Sequence, residues 1–284
     1  MKIFHIVEEL SDKNNSIISV TKILSKYKNL TSSRIVIPQS QNFNKNKKNY
    51  IKTIDVLKRF FKFNSEIYKF IKENKPDVLH IHGLWRPIHI LFIINSRFLD
   101  VPIIVQPHGM LLNEAIKSKS LFSYYLKLIV LFFYKFLLSN AYFIAVTRDE
   151  KISIYKYFKK NKIFVIPNPF ISPFKVEKKI KSQISFFGRF SPHKNLDLII
   201  NSFINAKLNK NWKLIIYGID DDKNYKNLIL KIISASKLHK RILVKKPIFN
   251  TKLKFKKMSE NFLNILMSKS EILSLSVLES LSVG

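Results

Sequence analysis

The chain has 284 residues, of which 46% are hydrophobic and 24% charged, proportions that are ordinary for a soluble globular protein. It contains no cysteine, which excludes disulfide bonds and thiolate metal sites. Fifty lysines and arginines against 19 acidic residues give a formal net charge of +31, which favours anionic partners. Nucleic acid is not the predicted partner, because the lysines are scattered and no recognisable binding motif occurs.

In the first half of the chain, short β-branched runs alternate with longer helical ones, a pattern typical of βαβ units around a parallel sheet. Glu8 and Glu9 stand where a signal peptide needs apolar residues, so the N-terminus predicts a first strand and a cytoplasmic protein. A helix is predicted over Ile54–Lys72, and the lysine-rich run Gln41–Tyr50 is predicted to be a solvated loop. Strands are predicted at Lys2–Val7, Ser33–Ile37, Asp77–Ile81, Ile103–Gln106, Tyr142–Val146 and Ile163–Ile166.

The segment Lys117–Asn140 is too apolar for a typical surface helix. Because Lys127 and Lys135 interrupt it, no uncharged run reaches the roughly 18 residues of a spanning helix. Two interpretations fit this composition. One is a helix lying in the headgroup region of an anionic membrane, with its lysines snorkelling, and the other is a helix mostly buried against the sheet.

The alternation of strands and helices breaks at Pro167–Ser182, which contains three prolines and several lysines. We therefore predict a first domain over residues 1–167, a linker at 168–182 and a second domain over 183–284. The second domain has fewer predicted strands than the roughly six of a doubly wound fold, so it is expected to be incomplete. Its predicted elements are strands at Gln183–Phe187, Trp212–Tyr217 and Arg241–Val244, helices at Asn195–Ala206 and Asn224–Ser236, a short element at Phe262–Met267 and a helix from near Ser276.

Two charged clusters in the second domain are candidate ligand sites. Gly188, Arg189 and Lys194 follow an apolar strand and precede a helix, where backbone amides and fixed positive charge favour a diphosphate, although a solvated turn fits the same residues. Glu271, in a loop, and Glu279, expected in the first turn of a helix, could accept paired hydrogen bonds from vicinal hydroxyls.

A third cluster lies at the predicted strand ends of the first domain, where open α/β sheets bind ligands. His80 and His82 share one strand face, which raises the hypothesis of a metal site. No nearby acid or third histidine is apparent, so no metal is predicted. His108, before Gly109, is the better candidate as a neutral hydrogen-bond partner for a substrate.

Taken in order, these residues resemble the family-4 glycosyltransferases of bacterial cell-surface polysaccharide synthesis. The phrases that support the resemblance are Pro76 to Trp85 (PDVLHIHGLW), Pro107 to Leu111 (PHGML), Val165 to Pro169 (VIPNP), Phe187 to Lys194 (FGRFSPHK) and the spacing from Glu271 to Glu279. Each phrase alone is weak, but all five occur in the family's order and spacing.

The resemblance implies a GT-B fold, in which two Rossmann-like doubly wound domains bind acceptor and donor, the second incomplete here. It implies transfer of a sugar from a nucleotide-diphosphate sugar to a lipid-linked or polysaccharide acceptor. The transfer would retain the anomeric configuration and would need neither a metal nor a cofactor. The protein would be cytoplasmic or bound peripherally to the inner face of the membrane. Arg189 and Lys194 would hold the donor diphosphate, and His108 and Glu271 would act at the donor sugar. Gly188 and Glu279 would contact the nucleotide, and His82 and Gly109 would lie on the acceptor side.

Several positions depart from the family's pattern. The loop Ser11–Ser16 lacks the usual glycines, Ile272 and Ser274 stand where glycines are common, and Asn195 replaces the glycine that follows the lysine. The family also continues beyond the position of Gly284, so the chain alone is expected to be poorly stable and weakly active. The alternatives are therefore a catalytically weak or inactive remnant of such an enzyme, or a sugar-nucleotide epimerase of the same fold.

Overall fold

The computed structural model describes residues 1–7, 16–25, 32–38, 50–53, 60–117, 120–170 and 180–284. The chain divides into two compact units, Met1–Pro169 and Phe170–Gly284, which we call the first and second domains. Their boundary falls inside the predicted linker, of which 171–179 lies outside the described residues. So do most of the loop Ser11–Ser16, the run 41–49 and the first six residues of the predicted helix Ile54–Lys72.

The first domain has a seven-stranded sheet in which all neighbouring strands pair in parallel, in the order β3-β2-β1-β4-β5-β6-β7. The strand order changes direction between β1 and β4, and such a switch point is where doubly wound sheets bind ligands. The strands are β1 (Lys2–Ile6), β2 (Ser32–Pro38), β3 (Tyr50–Thr53), β4 (Val78–His82), β5 (Ile103–Gln106), β6 (Tyr142–Ala145) and β7 (Ile163–Val165).

Helices connect these strands and bury the apolar residues of the sheet. In β4, Leu79 and Ile81 alternate with His80 and His82, and all four are buried, as expected for a strand of a sheet covered on both faces. The helices are α1 (Ser16–Leu24), α2 (Phe60–Asn74), α3 (Pro87–Phe98), α4 (Asn113–Ile116), α5 (Leu121–Leu137) and α6 (Arg148–Tyr157).

The second domain has a smaller parallel sheet in the order β10-β9-β8-β11, so its switch point lies between β8 and β11. Phe186, Ile216 and Ile229 are fully buried in its separate core. The strands are β8 (Lys181–Arg189), β9 (Lys213–Ile219), β10 (Ile242–Lys245) and β11 (Asn261–Asn264). The helices are one 3-10 turn (Pro192–Lys194), α7 (Leu196–Asn205), α8 (Lys223–Ala235), α9 (Thr251–Ser259) and α10 (Leu275–Val283).

The predicted α/β class with two parallel sheets is confirmed, and the predicted strands up to β10 agree with the observed bounds to within two residues. Among the described residues, a strand and a helix were not predicted. Strand β3 has only four residues and begins at Tyr50, the last residue of the polar run that was predicted to be a loop, so the prediction is wrong at that position. Helix α9 is rich in lysine and buries only Phe255, Met258 and Ser259, too few apolar positions for a recognisable helical period.

Candidate functional site

The histidines of the first domain meet at the carboxyl ends of β1, β4 and β5. His82 is the last residue of β4, and its Nδ1 lies 2.9 Å from Nε2 of His108, which follows β5. The other ring nitrogen of His82 lies 3.1 Å from Nδ1 of His5 on β1. The structure therefore joins the predicted pair His82 and His108, and it adds His5, which the sequence analysis missed.

The expectation that no third histidine lies near His80 and His82 is therefore wrong. In the register of the parallel pair β1 and β4, His5 is the partner of His80, which places both side chains on one face of the sheet. The nearest ligand nitrogens of His5, His80 and His82 all lie within 4.8 Å of one another. The signal in the sequence was a histidine at the centre of an apolar strand, but the strand pairing is needed to interpret it.

These imidazoles are neutral at pH 7. Burial lowers the pKa of His5, His89 and His108 to about 4. Burial, reinforced by the neighbouring histidines, also holds the pKa of His80 and His82 well below the usual range. Neutrality is the state that the prediction for His108 requires, since a neutral ring can donate or accept a hydrogen bond without adding charge.

A buried carboxylate fixes the turn that presents His108. His108 and Gly109 have φ of 51° and 81°, so both are left-handed, a conformation that costs energy for the histidine. The Gly109 amide donates to Oε1 of Glu150 at 2.6 Å, and the Val146 amide donates to Oε2 at 2.7 Å. Burial raises the pKa of Glu150, and these two hydrogen bonds oppose that shift.

Glu150 was also missed, although a sequence signal existed. Thr147 is the N-cap of α6, and its hydroxyl accepts from the Glu150 amide at 3.3 Å, so Thr147-x-x-Glu150 has the spacing of a capping box. In a capping box the glutamate side chain turns back to the N-cap amide. Here it is fully buried and holds Gly109 and Val146 instead.

In the second domain, the predicted phosphate-binding residues lie at the end of β8 and just beyond it. Gly188 is the penultimate residue of that strand and Arg189 the last, and Lys194 ends the 3-10 turn. Asn195 then adopts a left-handed conformation with φ of 49° before α7 begins. This explains the family's glycine at that position, and asparagine is among the residues that tolerate the conformation best.

The same segment contacts the loop of the predicted carboxylate Glu271. The Lys194 ammonium donates to Oε1 of Glu271, and both side chains are partly exposed. Nε2 of His193 lies 2.7 Å from the Ser270 carbonyl oxygen, and the Lys269 amide donates to the His193 carbonyl at 2.9 Å. Two clusters separated by more than seventy residues in sequence are thus brought together at the switch point of the sheet.

Arg189 and Glu279 have other partners. Arg189 Nη1 donates to Oδ2 of Asp221 at 3.3 Å. Glu279 accepts from the Lys254 ammonium of α9. Because α10 begins at Leu275, Glu279 lies in its second turn, and the expectation of a first-turn position is wrong.

At this end of β8 and β9, two facing positions have room only for glycine. Gly188 lies opposite Gly218 in the register of β8 and β9. A Cβ on Gly188 would lie 2.6 Å from the Phe186 ring, and one on Gly218 would lie 2.1 Å from the Phe190 ring. Aromatic rings occupy the space that side chains would need at either position.

Helix α5 of the first domain exposes a continuous apolar face. Phe122 and Phe132, for example, are 78% and 71% exposed, whereas Leu131 and Tyr134 are buried against the domain. We call this surface the α5 face, and its members recur at helical spacing: Leu121, Phe122, Tyr125, Leu126, Ile129, Phe132, Phe133 and Phe136. One side of this helix therefore packs against the domain, as the buried interpretation predicted, and the other side is exposed.

The two lysines of α5 differ. Lys127 does not snorkel as expected, because its ammonium donates to the Ala115 carbonyl at 2.7 Å and lies over the Trp85 ring. Lys135 is exposed beside the α5 face. Within the described part of the chain, every helix is too short or too polar to cross a membrane.

Family models match most of the chain. The model described as Glycosyltransferase Family 4 matches residues 32–170, and the model described as Glycosyl transferases group 1 matches residues 167–284. A search of curated proteins found no match.

Solved structures with a similar fold include HepE of Anabaena in complex with UDP and glucose, which is 12% identical with a TM-score of 0.74; the alignment covers 100% of this chain and 78% of that one. The apo form of WaaB, a lipopolysaccharide outer core galactosyltransferase, is 16% identical with a TM-score of 0.69, and the alignment covers 100% of this chain and 78% of WaaB. Sucrose-phosphate synthase from Thermosynechococcus elongatus is 13% identical with a TM-score of 0.71, and the alignment covers 100% of this chain and 79% of the synthase.

The fold class is GT-B, with two Rossmann-like domains of which the second is the smaller. Because the two family models together match residues 32–284, the chain belongs to the family-4 glycosyltransferases.

Proposed function

We propose that the protein transfers a sugar from a nucleotide-diphosphate sugar to a lipid-linked or polysaccharide acceptor, with retention of configuration and without a metal at the donor. The observation that supports this most directly is the contact between Lys194 and Glu271 at the switch point of the second sheet. Two structures with a similar fold agree with the proposal: HepE was solved with UDP-glucose, and WaaB is a galactosyltransferase.

The ion pair between Lys194 and Glu271 suggests how the donor would be bound. An incoming diphosphate carries more charge than a carboxylate, so it would compete with Glu271 for the Lys194 ammonium. Released from the lysine, the Glu271 carboxylate could accept hydrogen bonds from hydroxyls of the donor sugar. Arg189 would add a second cation, Glu279 would accept from the ribose hydroxyls, and Gly188 would contact the nucleotide through its backbone.

Fixed cations would also promote the reaction itself. Negative charge develops on the diphosphate as the bond to the sugar breaks, and preorganised donors at that position stabilise the transition state. His108, which is neutral, would hydrogen-bond the transferred sugar, and His82 and Gly109 would support the acceptor side. No cofactor is needed for these steps.

Calorimetric titration of UDP and GDP tests the donor site. A charge-assisted contact contributes about 1.5–3 kcal/mol, so Lys194→Ala should weaken binding by roughly 10- to 150-fold. Lys210→Ala is the matched control, because Lys210 is an exposed lysine between α7 and β9. Equal affinities in the wild type and Lys194→Ala would contradict the assignment.

For the acceptor side, we propose that the α5 face attaches the protein peripherally to an anionic membrane. The face presents eight exposed apolar side chains, Lys135 adjoins it, and the chain's net charge of +31 complements anionic headgroups. A lipid-linked acceptor would then be available at the same surface.

Vesicle flotation tests the attachment. Wild-type protein should float with phosphatidylglycerol vesicles at low salt. The fraction that floats should be smaller at high salt, and smaller still with phosphatidylcholine vesicles. Replacing both Phe132 and Phe133 with serine should abolish flotation. Leu228→Ser, which removes an exposed apolar side chain from the second domain, should not. Salt-independent binding to both lipids, or a dimer in light scattering that the double variant disrupts, would overturn the proposal.

A further inference from the structure

Three buried histidines of the first domain form a cluster whose geometry follows from the strand pairing. His80 and His82 are two residues apart on β4, so they point to the same face of the sheet. His5 joins them from the neighbouring parallel strand, as the register partner of His80. The cluster lies at the switch point between β1 and β4, and its nearest nitrogens are all within 4.8 Å of one another.

Hydrogen bonds among the rings satisfy only some of the ring nitrogens in this cluster. If Nδ1 of His82 donates to His108, Nε2 of His82 presents a lone pair toward Nδ1 of His5, 3.1 Å away. A proton on His5 would satisfy that contact. Nε2 of His80, however, is buried and has no hydrogen-bond partner among the described residues. A buried polar atom of this kind requires an explanation, and coordination of a metal ion is one.

The arrangement resembles the inner and outer shells of a metal site. Metal-bound histidines commonly use their second ring nitrogen to donate to another group, which fixes the tautomer of the ligand. His108 accepts such a hydrogen bond from His82 in the orientation described. Neutral imidazole is the form that binds metals, and all three rings are buried.

We propose that His5, His80 and His82 bind one divalent transition-metal ion of the zinc type. Ligands at about 2.0–2.1 Å from tetrahedral zinc lie roughly 3.3–3.4 Å apart, which is close to the 3.1 Å between His5 and His82. Binding would require the three rings to turn until their lone pairs converge on the ion. Water would complete the coordination. The ion organises the strand ends of the first domain, and its binding can be measured without a donor or an acceptor.

Metal binding is tested with Zn²⁺ and Co²⁺ on the full chain after treatment with EDTA. The wild type should bind one equivalent, measured by calorimetry and by elemental analysis after dialysis. Co²⁺ should give the intense visible bands of a four-coordinate ion, and Zn²⁺ should raise the unfolding temperature. His5→Gln and His80→Gln should each remove the one-equivalent binding. His108→Gln, which keeps all three ligands, should weaken it by about 10- to 100-fold.

Two further variants separate the outcomes. His239→Ala removes an exposed histidine of the second domain and should leave binding unchanged. His89→Gln alters a buried histidine outside the triad, so it controls for loss of folding, which circular dichroism follows in every variant. Absence of one-equivalent binding in the wild type would overturn the proposal. Binding retained in folded His5→Gln and His80→Gln would overturn it too. Titration of UDP into metal-free protein tests the donor site separately.

Discussion

The two domains place their candidate residues in opposite physical environments. In the first domain the polar groups are mostly buried: His5, His80, His82 and His89 are buried near the strand ends, His108 is half-buried, and Glu150 is buried beneath the turn of His108. All five histidines are neutral at pH 7. In the second domain the candidates are charged and partly exposed, and each ion is held by an opposite one, Lys194 by Glu271 and Arg189 by Asp221. The first arrangement is sensitive to protonation and the second to competing ions, so the two domains should respond to different perturbations.

Acidification should produce the largest difference between the domains. A histidine with a folded pKa near 4 and an unfolded value of 6.5 stays neutral in the native state while the unfolded chain takes up protons. Stability is therefore complete above about pH 6.5 and falls toward pH 4, by roughly 1.4 kcal/mol per pH unit for each such histidine. Several buried histidines together should cost the first domain several kcal/mol between pH 7 and pH 5.

The two tryptophans allow each domain to be followed separately, because Trp85 lies in the first and Trp212 in the second. Urea unfolding of Trp212→Phe reports on Trp85, and that of Trp85→Phe reports on Trp212. The Trp85 transition should shift strongly to lower urea as the pH falls. Equal shifts of both transitions would remove the proposed contrast.

Removing the buried carboxylate should have the next largest effect. Glu150→Ala leaves the amides of Gly109 and Val146 without their acceptor, at about 1–3 kcal/mol for each buried group. We expect the first domain to lose about 2–5 kcal/mol in urea unfolding followed by Trp85. Asp149→Ala, a neighbouring exposed acid, should change stability by less than about 0.5 kcal/mol. Similar values for both variants would show that the buried contacts contribute little.

A smaller effect is expected from the glycine pair of the second domain. Gly218→Ala forces a methyl group into the Phe190 ring, and overpacking of this kind costs about 1–3 kcal/mol. The Trp212 transition should shift while the Trp85 transition stays in place. Combined with Phe190→Leu, the alanine should cost less than it does alone. Strict additivity in this double-mutant cycle would mean that the ring does not limit the site.

The position of the second domain's candidate residues was easier to predict from the sequence than that of the first domain's, because the residues lie close together along the chain. Gly188, Arg189 and Lys194 lie within a few residues of one another after an apolar strand, and a strand end with clustered cations can be recognised without knowing its neighbours. The partners were not predictable in the same way. That Lys194 meets Glu271, Arg189 meets Asp221 and Glu279 meets Lys254 depends on strand order and loop course.

In the first domain, the candidate site could not be predicted fully because the sequence does not give the register between strands. His5 looked like one residue of an apolar strand until β1 and β4 aligned it with His80. Glu150 had a local signal in its capping-box spacing, but its contact with Gly109 depends on where β5 and β6 end. The fold class and most strands were predictable because they follow from short-range periodicity. Side-chain networks between strands were not.

Hydrogen exchange measured by mass spectrometry, with and without UDP, tests the central claim that the donor diphosphate binds at the Lys194–Glu271 pair. Saturating UDP should slow exchange in the segments 188–196 and 271–284, and Lys194→Ala at the same UDP concentration should show little of this protection. Both segments exchanging at the same rate with and without UDP, in protein that binds UDP by calorimetry, would contradict the account.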